Sequence, residues 1–170
     1  MMRKRWSIVA GLIALAAAAT VVIRPTPLLI WNATASVPIG LYAIEATGRL
    51  HVSELVAVDP PSDLASFLAA RRYLPRGVPM LKHVLALPGQ TVCRSGRSVS
   101  VDGTAMGDAL DHDSLGRPLP VWQGCQRIPA GSIFLMNRES AHSFDGRYFG
   151  LVPASTIIGR AVTLWTHEED

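Results

Sequence analysis

Apolar residues in this chain follow two patterns. Residues 6–23 form an almost unbroken apolar run, interrupted only by Ser7, Gly11 and Thr20 and closed by Arg24. Beyond it, apolar residues come in short runs separated by Gly and Pro, the pattern of strands. The strand candidates are 40–44, 55–58, 80–87, 91–94, 98–101, 132–136 and 157–164. Asp102-Gly103 marks a hairpin turn. One stretch reads as a helix: after Pro60-Pro61, Ser62 is placed to cap it, and Leu64, Phe67 and Leu68 follow at helical spacing until Pro75. Residues 102–124, rich in Asp, Gly and Pro, read as an irregular excursion with few core positions. The expected fold class is mainly β with one short helix, behind one N-terminal transmembrane or signal helix.

A helix over the eighteen residues of the first run would span about 27 Å, close to the hydrocarbon thickness of a bilayer. Arg3, Lys4 and Arg5 precede it and should stay on the cytoplasmic side. The run is a retained anchor or a signal peptide cleaved near Ala16–Ala19. Either way residues 25–170 lie outside the cytoplasm. The expected organisation is a basic tail and membrane segment over 1–24, a linker over 25–35 begun by Pro25 and Pro27, and a catalytic domain over 36–170.

Charge sharpens this division. The formal net charge of +3 comes from 16 basic and 13 acidic residues, and the basic tail accounts for all of it, so residues 6–170 balance. A nucleic-acid binder needs clustered basic charge on its folded part, so that class of partner is excluded. Cys93 and Cys125 are the only cysteines, an even number suited to a disulfide in an exported domain. Neither they nor the five histidines have the spacing of a metal site, and no metal or cofactor is expected.

Three stretches could carry chemistry. Ser36, in Ser36-Val37-Pro38-Ile39-Gly40-Leu41-Tyr42, sits in a turn defined by Pro and Gly just before a strand; by itself it also fits an ordinary turn serine. Lys82 is the sole lysine beyond the tail. On a strand it shares a face with Met80, Val84 and Ala86. Desolvation there would favour the neutral amine, which can act as a general base, whereas arginine cannot. An edge-strand lysine that discourages aggregation fits the same pattern. Asp145 and Arg147, two apart in Ser143-Phe144-Asp145-Gly146-Arg147, suit an ion pair beside a site or a structural turn.

In order along the chain, these stretches resemble the type I signal peptidases, and more closely the TraF-type peptidases of conjugative transfer systems. Ser36 and Pro38 match the nucleophile box, and Gly40-Leu41-Tyr42 is its TraF-like continuation. Lys82 leading to Pro88-Gly89 matches the lysine box. Ser143, Asp145 and Arg147 match the third box, and Ile158-Gly159-Arg160-Ala161 the closing strand. Gln90, Ala86 and Gly146 depart from the usual residues, and the Asn137-to-Asp145 spacing is long. These departures favour a dedicated-substrate enzyme over a housekeeping one.

The resemblance implies a serine endopeptidase with a Ser36/Lys82 dyad. Asp145 would support the dyad, Arg147 and Ser143 would support its structure, and Thr34 would be an oxyanion donor. The implied substrate is a membrane-associated pilin-like precursor, cleaved or cyclised at the periplasmic face of the inner membrane, with other conjugation proteins as further partners. The enzyme would stay attached by its N-terminal helix or be released after that helix is cleaved. A housekeeping signal peptidase and a non-enzymatic membrane-anchored subunit of a secretion channel are the alternatives.

Overall fold

The structure, a computed structural model, describes residues 29–167. The tail and apolar run that suggest a membrane segment lie outside the described residues. Among those described, no helix is long and apolar enough to cross a membrane.

Strand β1 (Leu29–Asn32) pairs antiparallel with β2 (Gly40–Glu45), so part of the stretch read as a linker is the first strand of a sheet. After β3 (Leu55–Val58) comes helix α1 (Ser62–Ala70), then β4 (Met80–Ala86). The cap of α1 is Pro61 rather than Ser62, with no side-chain hydrogen bond. Ser62 is already helical, and its carbonyl accepts from the Ser66 hydroxyl. Strands β5 (Thr91–Ser95), β6 (Ser98–Val101), β7 (Thr104–Asp108) and β8 (Gly124–Arg127) form a second sheet in the order β7-β6-β5-β8. The chain returns through β9 (Ser132–Leu135), the single-turn helix α2 (Gly146–Phe149), β10 (Leu151–Pro153) and the long β11 (Ile157–Thr166). The main sheet has seven strands in the order β1-β2-β11-β3-β4-β9-β10. The fold is mainly β as expected, and α2 is a short helix that the sequence did not suggest.

The excursion over 102–124 is more ordered than its composition implied. Asp102 and Gly103 both have positive φ, 48° and 81°, which suits the tight turn joining β6 to β7. Strand β7 is largely exposed and forms through backbone pairing with β6, so it leaves no hydrophobic alternation to read. Farther along, Ala109 and Leu119 are buried against Tyr148. Asp113 ties this segment to the end of α1 through Tyr73 and Arg71, and Arg117, paired with Asp113, donates to the Arg71 carbonyl.

Cys93 on β5 and Cys125 on β8 are directly opposed and joined by a disulfide. It links positions 32 apart, and by the loop-entropy account contributes about 3–4 kcal/mol. Strand β8 is otherwise fully exposed, so backbone pairing and this bond hold it.

The core lies where β3, β4 and β9 meet. Val56, Val58, Met80, Val84, Ile133 and Leu135 are buried together, with Leu68 of α1 and Val152 of β10. At the other end of the main sheet the aromatic pair Trp31 and Trp165 stacks on the exposed surface, ring centroids 5.8 Å apart.

Candidate active site

Strand β4 is interior, paired to β3 on one side and β9 on the other. This removes the edge-strand reading of Lys82. The lysine is opposite Val56, shares its strand face with the core residues Met80 and Val84, and is 5% exposed. An ammonium ion in such a place loses most of its hydration. Burial therefore pushes Lys82 down to about 8; the Asp145 carboxylate opposes this, and the Arg147 guanidinium adds to it. About a tenth of the lysine is then a neutral amine at pH 7, far more than at an ordinary lysine.

Lys82 Nζ donates to Ser143 Oγ at 2.8 Å. Ser143 is held in turn: its carbonyl accepts from Arg147 Nη2 at 3.2 Å and its amide donates to the Ser140 carbonyl. Asp145, wholly buried, caps α2 by accepting from the Arg147 backbone N–H at 3.1 Å. Its two oxygens also take Arg147 Nε at 2.9 Å and Nη2 at 2.8 Å, a two-pronged ion pair, and Oδ2 accepts from the Asn137 amide at 3.1 Å. The Arg147 guanidinium spends its remaining donors on the carbonyls of Asp108, Asn137 and Ser140. A buried ion pair persists only when its other hydrogen-bonding capacity is met, and here it is.

Packing explains why position 146 is a glycine. A Cβ there would lie 2.6 Å from the Leu135 carbonyl and under 3 Å from the Phe134 ring. The close approach of α2 to β9 requires glycine.

Ser36 lies in the turn between β1 and β2, half-buried. Its hydroxyl is 3.1 Å from Thr34 Oγ1. Next to it, Val37 is buried in a cluster with Tyr42, Ala57, Leu81 and Ala161. Ala57 and Leu81 are themselves paired, one step along β3 and β4 from the Val56–Lys82 pair, so Val37 anchors the turn at that level of the sheet. Tyr42 adds a second anchor, its hydroxyl donating to the Pro38 carbonyl at 2.6 Å.

The expected residues thus fall into two groups. Lys82, Ser143, Asp145 and Arg147 form one network, with Ser143 in direct contact with the lysine. Ser36 and Thr34 form the other, and no hydrogen bond joins Ser36 to Lys82 among the described residues. Two polar residues without an expected role hold these groups. Asn137 fastens the third box to β4, its Oδ1 accepting from the His83 amide and its Nδ2 donating to the Leu81 carbonyl. Asn32 fastens the serine turn. Each closes a strand or apolar run with a buried amide side chain, the only local signal of its role.

Similarity to known proteins supplies the class to which this arrangement belongs. The chain belongs to the family described as signal peptidase, peptidase S26, whose model matches residues 2–166. It is 37% identical over 148 residues to the conjugal transfer protein TraF of Agrobacterium fabrum (strain C58 / ATCC 33970), covering 81% of this chain and 82% of that protein. A plasmid transfer protein TraF of Escherichia coli is 34% identical over 146 residues, covering 79% and 82%. Signal peptidase I of Leptolyngbya laminosa is 33% identical over 82 residues, 48% of this chain and 38% of that protein. A solved signal peptidase I of Enterococcus faecalis V583 aligns over 68% of this chain and 98% of its own at 18% identity and a TM-score of 0.40; the assignment rests on the sequence relatives.

Proposed function

We propose that this peptidase uses Ser36 as nucleophile and Lys82 as general base. The observation that carries this reading is the buried lysine on an interior strand, lowered to about 8 by desolvation and aligned by Ser143. A group that must accept a proton near neutral pH needs a value in that range. On substrate binding, the Ser36 hydroxyl turns from Thr34 toward Lys82 Nζ; hydrogen bonds of this kind are often unformed before the substrate is present. Lys82 takes the proton as Ser36 Oγ attacks the scissile carbonyl. The carbonyl–nitrogen bond then breaks, the leaving amine takes the proton from Lys82, and an acyl-enzyme on Ser36 remains.

The Ser36 backbone N–H is the first donor to the oxyanion. Thr34, expected as the second, gives its hydroxyl proton to Asn32 Oδ1 instead and meets Ser36 as an acceptor. Water then releases the acid, or the substrate's own amino terminus captures the acyl group and closes a ring. Asp145 and Arg147 act by holding Ser143 and by setting the field at the amine.

The substrate, on this reading, is a membrane-associated pilin-like precursor of a conjugative transfer system, met at the periplasmic face of the inner membrane. The similarity to TraF proteins over most of both chains supports that choice over a housekeeping peptidase. Processing of such a precursor by the full chain tests it. Ser36→Ala and Lys82→Ala should each abolish processing while the protein accumulates normally. Lys82→Arg should be equally inactive, since a guanidinium does not deprotonate. Normal processing by Ser36→Ala would refute the assignment.

A further inference from the structure

Asn32 ends β1 opposite Gly40, where the two strands open into the serine turn. It is 8% exposed, and its amide spans the turn from inside. Nδ2 is within reach of three backbone carbonyls, those of Thr34 at 2.7 Å, Val37 at 3.0 Å and Pro38 at 3.1 Å. Oδ1 accepts from the Thr34 amide at 3.2 Å and faces the Thr34 hydroxyl at 2.9 Å. Carbonyls only accept, so the nitrogen must be the end that faces them. The orientation of this amide is therefore fixed by its partners.

That orientation has a chemical consequence. An amide oxygen cannot donate, so the single proton of the Thr34 hydroxyl is directed at Asn32. Thr34 Oγ1 then has only lone pairs to offer Ser36, 3.1 Å away. The direction of the chain follows: Ser36 donates to Thr34, and Thr34 donates to Asn32. The Ser36 proton is held on the Thr34 side until something draws it toward Lys82.

We propose that Asn32 is a positioning residue for the nucleophile. It fixes the backbone of the serine turn and, by taking the Thr34 hydroxyl proton, makes Thr34 the acceptor that orients Ser36 Oγ before substrate binds. The proposal rests on Ser36 being the nucleophile, and it assigns to Asn32 a contribution to acylation transmitted through Thr34. A residue that merely capped the turn would need the backbone contacts alone. The link to Thr34 Oγ1 reaches the reacting hydroxyl.

A double-mutant cycle separates the two. Acylation is followed in the full chain with a peptide ester ending in Ala-Xaa-Ala, the small-residue pattern of export cleavage sites, by the burst of released alcohol. Thermal melting and the Cys93–Cys125 disulfide report folding. Asn32→Ala is expected to slow acylation by about 10–100-fold with KM changed by less than about 3-fold. In a Thr34→Val background, where the link is already gone, the same change should cost less than about 3-fold. An equal loss in both backgrounds, a loss confined to KM, or no loss would overturn the proposal. Should Asn32→Ala fail to fold, Thr34→Val tests the same link with Asn32 intact, and full acylation by that variant overturns it. Ser36→Ala is run alongside. A Ser36→Ala enzyme that still acylates defeats the nucleophile assignment itself, whereas an inactive one beside a fully active Asn32→Ala defeats only the role given to Asn32.

Discussion

Lys82 Nζ donates to Ser143 Oγ at 2.8 Å, and both groups are buried. The contact bridges β4 and the segment leading into α2, positions 61 apart in the chain. Ser143 is held by Arg147, and Arg147 by Asp145, so the carboxylate reaches the lysine through two side chains. It also reaches it through space, opposing the effect of burial, while Arg147 acts in the opposite sense. The amine is thus aligned by one network that also tunes its charge.

Asp145→Asn separates these effects. Leaving the Arg147 cation buried without its counter-charge should destabilise the fold by about 3–5 kcal/mol, seen as a lower midpoint in urea unfolding. The field at Lys82 should change as well. Losing a nearby negative charge and keeping the positive one both disfavour the ammonium form. In the folded fraction the pH–activity midpoint should therefore move to lower pH, as measured by initial rates across pH. A midpoint moved upward would contradict this electrostatic assignment.

Burial of Lys82 also makes stability depend on pH, with a definite sign. The lysine sits near 8 in the fold and at about 10.5 in the unfolded chain. Below pH 8 it is protonated in both states, and the full cost of burying the charge is present. Between about pH 8 and 10.5 the unfolded chain binds more protons, so stability rises with pH. Lys82→Met, similar in length and uncharged, should be more stable than the natural protein at pH 7. That advantage should shrink by roughly 2–4 kcal/mol across the window. Chemical denaturation at pH 7 and pH 10 measures the difference, and a constant gap would contradict it.

Gly146→Ser should be unfavourable. Its Cβ would be driven into the Leu135 carbonyl and the Phe134 ring, and overpacking of this kind costs about 1–3 kcal/mol. Thermal melting would show the loss. An unchanged midpoint would mean that β9 and α2 separate more easily than their packing implies.

Much of this was legible in the sequence, for identifiable reasons. Lys82 stood out because one lysine inside an apolar strand is chemically odd, and the same apolar residues that made it odd bury it. The strands around it form core, so their hydrophobic patterns are strong. Strands β7 and β8 left little trace, since their residues face solvent and backbone pairing and a disulfide hold them. Strand β1 was hidden by the prolines before it, which read as a linker. The holding roles of Asn32 and Asn137 were missed because a buried amide acts through contacts to backbone groups, in a turn for Asn32 and across the fold for Asn137, and periodicity does not record those. Ser143 was read as structural support, and its bond to the lysine needed 61 positions of chain to fold back.

The central claim is that Lys82 acts on Ser36 as a neutral amine. The most direct test is the pH dependence of the single-turnover acylation rate in the unmodified full chain. Because the base is required unprotonated and Lys82 lies near 8, the rate should climb with pH, reach half its maximum near pH 8, and level off above it. A rate independent of pH between 6 and 9, or one still climbing toward the ordinary lysine value of about 10.5, would contradict the assignment.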